Sequence, residues 1–346
     1  MPRRSLLALA LALLLAPAAG LPAGRAAEGE DRPSRLPGAV TLAFGWTAPL
    51  SARVTYRRTR TRSGARGATF TARYVARLAA QGRELRLGNE ATTWEGDLPF
   101  PTALTGEAIF ASEQVVQRIG TEGQFLGLDG VEAIRPVLRR MFEELMVPPE
   151  QAERAVALAE ASMRAQAEEL WNLAVGFWTG ASLELGETYQ METETELPFA
   201  PGTRAQSTVE FEVRRRVPCG AGERGARCVE ITLRAVPERA AVERAAPLLR
   251  ERLGAPAAPV ADAGELSVEQ ELLLVTEPTT LLPRRLVWTQ AIRAAPAEGG
   301  PGAEQVDRSE YDYRYDAPAP RRRRAPGPPP TQAAPAPASG RAPPAS

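Results

Sequence analysis

The longest helical signal in the chain is PEQAERAVALAEASMRAQAEELWNLAVGFWTG, residues 149–180. Pro149 is tolerated at a helix start, because the amide hydrogen that it lacks is not needed there. The interior is rich in Ala, Glu, Gln, Arg, Leu and Met, which have the highest helix propensities. Gly180 is typical of a position just beyond a helix end. The segment therefore predicts one long helix over residues 149–178.

The C-terminal part of this predicted helix is broadly apolar. Leu170, Trp171, Ala174 and Trp178 share one face, and Phe177 borders it. Such a wide stripe must be buried against something. In one interpretation these side chains are core and dock the helix on a sheet; in the other they line an apolar ligand cavity. We expect docking on the sheet with a residual cavity beside Trp171 and Trp178, so these five residues are the candidate ligand-binding residues.

Period-2 alternation on both sides of the helix predicts strands. The clearest is 68–80, where Phe70, Tyr74 and Leu78 share a face while Thr71 and Arg73 lie on the other. Further strands are predicted at 39–46, 51–62, 84–94, 113–119, 124–128, 183–195, 205–217, 227–236, 265–277, 286–294 and 305–316, shorter helices at 134–146 and 237–253, and a loop at 95–107. The predicted fold is α+β: a curved, mostly antiparallel sheet of about nine to ten strands, with a central helical insertion packed on one face.

The two ends of the chain differ in composition from its body. Residues 1–27 have a basic start, a ten-residue apolar run and small-residue cleavage sites, as in a secretory signal peptide. Residues 28–38 are polar and read as a linker, and residues 39–316 are predicted to form a single domain. Residues 317–346 are rich in Pro, Ala and Arg and are predicted to be a disordered tail. We expect a periplasmic or secreted protein that does not span a membrane.

The charged residues exclude several classes of function. The chain contains no His, and its basic residues are all Arg. This excludes Ser-His-Asp machinery, His-ligated zinc, P-loops and Schiff bases, and leaves carboxylate chemistry. Residues 1–27 and 317–346 together hold eight arginines and no acidic residue, so the body carries 34 arginines against 42 acidic residues. An acidic body does not indicate nucleic-acid binding.

Two further sequence patterns each allow more than one interpretation. Cys219 and Cys228 are the two cysteines of the chain and flank a Gly-rich loop, which indicates a disulfide rather than a redox-active Cys-X-X-Cys pair. Glu192, Glu194 and Glu196 alternate with uncharged residues in a strand, and we interpret them as a solvated face rather than a metal site. No cofactor is predicted. The basic tail either contacts an anionic envelope polymer or lipid head groups, or has no partner.

The order of the elements resembles the periplasmic lipoprotein-carrier fold, an open half-barrel whose apolar concave face is covered by helices. The resemblance rests on the strands at 51–62, 68–80 and 84–94, the helices at 134–178, and the strands between 183 and 316. It covers most of the mature chain, and the inserted helices and the Cys219–Cys228 hairpin are the parts expected to depart from it. It implies binding of acyl chains or another apolar ligand.

Three hypotheses about function follow. The first is an exported, non-enzymatic protein that binds an apolar small molecule or lipid between a curved sheet and its helices. The second is a structural or interaction protein of the envelope with a filled core. The third is a hydrolase that uses two carboxylates, as glycosidases do. The volume of the cavity between the helix and the sheet separates the first from the second. A pair of buried carboxylates in a cleft would favour the third.

Overall fold

The computed structural model describes residues 38–98, 101–197, 204–220, 227–245, 266–294 and 303–316. The predicted signal peptide, the predicted linker apart from Gly38, and the predicted tail lie outside these residues. The described residues belong to one compact unit that extends to Asp316. None of the helices in this described part is long and apolar enough to cross a membrane.

The described residues form thirteen strands and four α-helices. The strands are β1 (Ala39–Thr41), β2 (Leu50–Arg62), β3 (Ala65–Gln81), β4 (Glu84–Gly96), β5 (Val116–Gly120), β6 (Phe125–Asp129), β7 (Ser182–Glu184), β8 (Thr188–Glu196), β9 (Arg204–Val217), β10 (Cys228–Pro237), β11 (Leu266–Thr276), β12 (Pro283–Ala294) and β13 (Ala303–Tyr315). The helices are α1 (Thr105–Glu113), α2 (Arg135–Glu144), α3 (Pro149–Ala174) and α4 (Arg239–Arg244). Short 3-10 turns precede α1 and α2 and follow α3.

Eleven of the described strands form one antiparallel sheet in the order β6-β5-β4-β3-β2-β13-β12-β11-β10-β9-β8. Two meanders, β2–β6 and β8–β13, are joined at the centre, where β13 pairs with β2. The sheet is open, since β6 and β8 form its two edges. β1 and β7 form a separate two-stranded sheet. This confirms a mostly antiparallel sheet with helices. The sheet has eleven strands instead of the nine to ten predicted, and the predicted hairpin at 113–119 and 124–128 forms β5 and β6 at its edge.

We call the face of the large sheet that contacts α3 the inner face. Side chains of this face alternate with outward ones along each strand, as the pleat requires. One core cluster joins inner-face residues such as Leu78, Ile231 and Trp288 to Trp171 and Leu173 of α3. The polar face of the same strands carries Arg–Glu ladders, for example Arg234 and Arg293 around Glu269.

The helices form a second apolar cluster beside the sheet. It contains Leu138 and Phe142 of α2, Val156 of the first half of α3, and Ala108 of α1. Arg164 of α3 donates a hydrogen bond to the Leu128 carbonyl at 3.0 Å, which connects the helix to edge strand β6. The first half of α3 therefore packs on other helices, and its second half packs on the sheet.

Several boundaries differ from the sequence prediction. The predicted strand 183–195 is divided between β7 and β8, because Gly186 adopts a positive φ of 81° and turns the chain. Residues 105–107, predicted as loop, begin helix α1. The predicted helix 149–178 leaves helical geometry at Val175, whose φ is −139°, and continues as a 3-10 turn at Gly176–Trp178. The predicted helix 237–253 is described only to Ala245, and α4 covers Arg239–Arg244.

Candidate functional site

Trp171 lies in the core, where two rings from the segment before β2 surround it. Its side chain is 4% exposed. The ring contacts Trp46 edge-on at a centroid distance of 5.1 Å and Phe44 at 6.2 Å. Its indole Nε1 donates a hydrogen bond to the Gly123 carbonyl at 2.8 Å. Because both its apolar and its polar parts are satisfied by protein, Trp171 holds the helix on the sheet.

Trp178 is also core, at the other end of the same contact. It is fully buried, and its Nε1 donates to the Leu173 carbonyl at 2.7 Å. Phe177 packs against it at 4.7 Å and lies edge-on to Phe211 of β9 at 5.5 Å. Ala174 is buried in the same cluster. The structure thus places Trp171, Ala174, Phe177 and Trp178 against protein.

Leu170, the fifth candidate, lines a pocket between α3 and the inner face. The pocket has a volume of about 90 Å³. The residues around it are Tyr56, Arg58, Gln166, Glu169, Leu170, Leu173, Trp288, Gln290, Asp307, Ser309 and Tyr311. One end is therefore apolar and aromatic, and the other is polar and charged. We call these two parts the aromatic end and the polar end.

A continuous row of aromatic side chains extends from the aromatic end across the inner face. Its contacts run from Tyr56 to Tyr311 at 4.5 Å, from Tyr56 to Phe70 at 6.0 Å, and from Phe70 to Trp94 at 5.7 Å. Along β13 the row continues through Tyr313 and Tyr315, with centroid distances of 6.3 and 6.5 Å. We call Trp94, Phe70, Tyr56, Tyr311, Tyr313 and Tyr315 the aromatic row. All six side chains are half-buried.

The tyrosines of β13 lie in a recessed position on the inner face. Burial raises the pKa of Tyr311 well above its ordinary value, and burial likewise raises the pKa of Tyr313 and of Tyr315. The pKa of Tyr74, on the same face of β3, is raised for the same reason. Protein therefore surrounds these phenols, while their half-buried rings remain in part accessible to solvent. This combination is expected of the wall of a groove.

The polar end is organised around Asp307 of β13. Its carboxylate accepts a hydrogen bond from Arg60 Nε at 2.6 Å and one from Gln305 Nε2 at 2.8 Å, and Arg58 Nη2 lies 3.6 Å away. Burial raises the pKa of Asp307, but attraction by Arg60 and Arg58 outweighs burial and lowers the pKa below its ordinary value. The carboxylate is therefore ionised at neutral pH.

Two buried nitrogen atoms beside this carboxylate have no hydrogen-bond partner. They are Nη2 of Arg60 and Nε2 of Gln290. Gln290 is 6% exposed and lines the pocket. A buried donor without an acceptor costs about 1–3 kcal/mol. The sequence analysis missed this polar end, since period-2 alternation places Arg58 and Arg60 on the inner face but does not place Asp307 beside them.

The cysteines form a disulfide that joins the facing ends of β9 and β10, with a Cα–Cα distance of 5.1 Å. Their sulfur atoms lie near a carboxylate oxygen of Glu277, but disulfide sulfurs are not thiolate ligands. Glu192 and Glu194 of β8 are exposed, and Glu194 lies 4.0 Å from Arg204. A wider groove of about 600 Å³ on the outer face is lined by alternating Arg, Glu and Thr side chains.

Comparison of the chain with protein-family models and with curated sequences yields no match. Among solved structures, the fold is similar to a structure of lipovitellin that is described for its lipid–protein interactions. The two share 9% sequence identity with a TM-score of 0.39. The match covers 83% of this chain, which spans about a quarter (26%) of the lipovitellin chain.

Proposed function

We propose that this protein is an exported, non-enzymatic binding protein whose apolar ligand lies along the aromatic row and enters the pocket under α3. The observation that supports this is the aromatic row itself. Six half-buried rings in continuous contact on the inner face are neither core nor ordinary surface. Contiguous apolar surface of this kind marks binding sites in soluble proteins. A lipid or another apolar small molecule would cover it.

The position of α3 supports the same proposal. Leu170 and Leu173 of the helix face Tyr56, Tyr311 and Trp288 of the sheet across the pocket. Ligand sites are concave and mostly apolar, with a few polar groups that fix orientation. The pocket has this composition, because the aromatic end adjoins the polar end around Asp307.

The polar end bears on the alternative of a two-carboxylate hydrolase, because Asp307 does not have the properties of its general acid. Such an enzyme needs one carboxylic acid with a raised pKa to protonate the leaving group. Asp307 and Glu169 both line the pocket, but the pKa of Asp307 is lowered by its arginine neighbours. Asp307 would therefore hold charge rather than donate a proton.

Export is supported by two features at different levels. The signal-like residues 1–27 come from the sequence, and the Cys219–Cys228 disulfide comes from the structure. Disulfides persist in oxidising compartments and are rare in the cytosol. Whether the compartment is the periplasm or the medium, we expect the cysteines to be oxidised there.

A second candidate function is that of an envelope structural or interaction protein with a filled core. It is favoured by the complete burial of Trp178, the near-complete burial of Trp171, and the small pocket volume of about 90 Å³. For comparison, an engineered apolar cavity of about 150 Å³ binds benzene. A long acyl chain would therefore extend along the aromatic row outside the pocket, or α3 would have to move.

Titration of the full-length chain with 1-decanol, monitored by tryptophan fluorescence, tests the proposal. We expect saturable binding, since Trp288 lines the pocket and Trp94 ends the aromatic row. Phe70→Ala should weaken this binding at least fivefold. Phe110→Ala is the matched control, because Phe110 is 66% exposed on α1, and it should bind decanol as the wild type does. If the wild type shows no saturable decanol binding below the solubility limit, the binding proposal is rejected and the hypothesis of a structural or interaction protein remains.

A further inference from the structure

The polar end contains a guanidinium group that protein carboxylates compensate only in part. Arg58 is half-buried, with 17% of its side chain exposed, and its closest ion-pair contact is Asp307 at 3.6 Å. Asp307 is already bound directly by Arg60 at 2.6 Å. One carboxylate therefore serves two arginines, and Arg60 holds it more closely. Arg58 faces the pocket with its charge less completely neutralised.

Two hydrogen-bond donors at this end do not reach an acceptor. Arg60 Nη2 and Gln290 Nε2 are buried and have no partner. The three donor-bearing side chains, Arg58, Arg60 and Gln290, adjoin one another on paired strands, since Asp307 pairs in register with both Arg60 and Gln290. Arg58 and Gln290 line the pocket, and Arg60 adjoins it through Asp307. A group with several acceptor oxygens suits these donors, since a guanidinium matches a carboxylate or phosphate in geometry.

We propose that the ligand is an amphiphile with an anionic head group, a carboxylate or a phosphate, which Arg58 and Gln290 hold at the polar end, beside Arg60. Its apolar chain extends over Tyr56 and Tyr311 onto the aromatic row. This inference rests on the proposed function, because it assigns the head group of the ligand that occupies the same pocket.

Glu169 sets a limit on how the head group is selected. It lines the pocket from α3 and is 7% exposed. It adds a second carboxylate to the pocket that Arg58 faces. The unpartnered donors, rather than an excess of positive charge, therefore select the head group. A free inorganic anion, without a chain to bury, gains too little from such a site to bind well.

The test compares ligands that share a chain and differ in the head group. Decyl phosphate and 1-decanol are titrated into the full-length chain below the micelle point, and inorganic phosphate is used as a competitor. We expect decyl phosphate to bind at least tenfold more tightly than decanol, and inorganic phosphate at millimolar concentration not to displace it. Arg58→Gln should reduce the preference for the phosphate, taken as the ratio of the two affinities measured on the same variant, to less than threefold.

Arg57→Gln is the matched control, since Arg57 is the neighbour of Arg58 on β2 and is exposed on the outer face. It should keep the full preference for decyl phosphate. Equal affinities of decyl phosphate and decanol for the wild type would overturn the anionic head group and leave the proposed function intact. If the wild type binds neither decyl phosphate nor decanol, both the anionic head group and the proposed function are overturned. Displacement by inorganic phosphate would show a site for free anions and overturn the amphiphile. The comparison of decyl phosphate with decanol on the wild type tests the proposal even if Arg58→Gln does not fold.

Discussion

Leu170 and Trp171 are neighbours in sequence, yet their side chains meet different surroundings. One helical step of about 100° turns Trp171 towards Phe44 and Trp46, while Leu170 faces the pocket. The same apolar stripe therefore supplies both a core anchor and a pocket wall. At the scale of the residue, function depends on what stands opposite a side chain and not on the type of side chain.

Trp178 should be among the most sensitive positions for stability. Trp178→Ala removes a fully buried ring and leaves a cavity, so we expect the free energy of unfolding to fall by about 3–5 kcal/mol. Phe110→Ala, at an exposed aromatic position, should change it by no more than about 0.5 kcal/mol. Urea denaturation of the two variants checks this. Similar losses in both would contradict the burial of Trp178.

Asp307 should stabilise the fold in a pH-dependent way. Asp307→Asn leaves two arginines without their shared anion, so it should cost about 2–3 kcal/mol at pH 7. The pKa of Asp307 is lower in the folded state, so its contribution is present above the unfolded pKa of about 3.9 and is lost as the pH falls through the folded pKa. The difference from the wild type should therefore shrink at pH 3. Asp312→Asn, at a carboxylate that is 53% exposed, should cost less than about 0.5 kcal/mol at either pH.

The sequence predicted the apolar stripe of α3 but not which of its members face the pocket. Leu170, Trp171, Ala174, Phe177 and Trp178 were grouped by helical periodicity, which reports only that a face is buried. Whether a ring meets Phe44, Phe211 or an open space is decided by segments more than thirty residues away. The polar end could not be predicted from the sequence for the same reason, because Arg60 and Asp307 are separated by 247 residues.

At the scale of the element, β13 combines two chemistries on one inner face. Towards its C-terminal end it presents Tyr311, Tyr313 and Tyr315, and towards its N-terminal end it presents Gln305 and Asp307. Strand patterns of this kind were well predicted, since period-2 alternation is local and the observed strands overlap the predicted segments. Helix α1 was missed, because Thr105 and Gly106 at its start are poor helix formers.

Ionisation of the tyrosines should report on the groove wall. Four of the six tyrosines, Tyr74, Tyr311, Tyr313 and Tyr315, have a pKa that is raised chiefly by burial. In the native state they should stay protonated at pH 11, whereas the denatured chain ionises with the ordinary pKa of about 10. Their contribution to stability is present below about pH 10 and is lost as the pH rises further. Absorbance at 295 nm measures this, and Tyr313→Phe should leave the native titration below pH 11 unchanged.

The hairpin of β9 and β10 should depend on its disulfide. Cys219 and Cys228 are nine residues apart, and closing so short a loop stabilises the folded state by about 2–3 kcal/mol in the chain-entropy model. Reduction should lower the free energy of unfolding by about this amount, and Cys219→Ser/Cys228→Ser should behave like the reduced protein. Labelling of the denatured, unreduced chain should detect no free thiol. Two labelled sites per chain would contradict the disulfide.

At the scale of the whole molecule, the sheet depends on its central pair. β13 pairs with β12 on one side and β2 on the other, and thus joins the two meanders. A chain that ends at Ala294 should show no cooperative unfolding transition, because each meander then has an additional unpaired edge. A chain that ends at Asp316 retains β13 and should melt within about 2 °C of the full-length protein. Cooperative unfolding of the shorter chain would contradict this role of β13.

The pairing of β2 with β13 has a consequence for the time course of folding. Arg62 and Gln305, which are joined by a hydrogen bond at 2.9 Å, are 243 residues apart. During synthesis, the backbone N–H and C=O groups along one edge of β2 therefore remain without their β13 partner until nearly the whole domain has been translated. Contacts of such long sequence separation slow folding, and unpaired strand edges promote aggregation. We therefore expect the nascent chain to need a chaperone that holds it open until its last strand emerges.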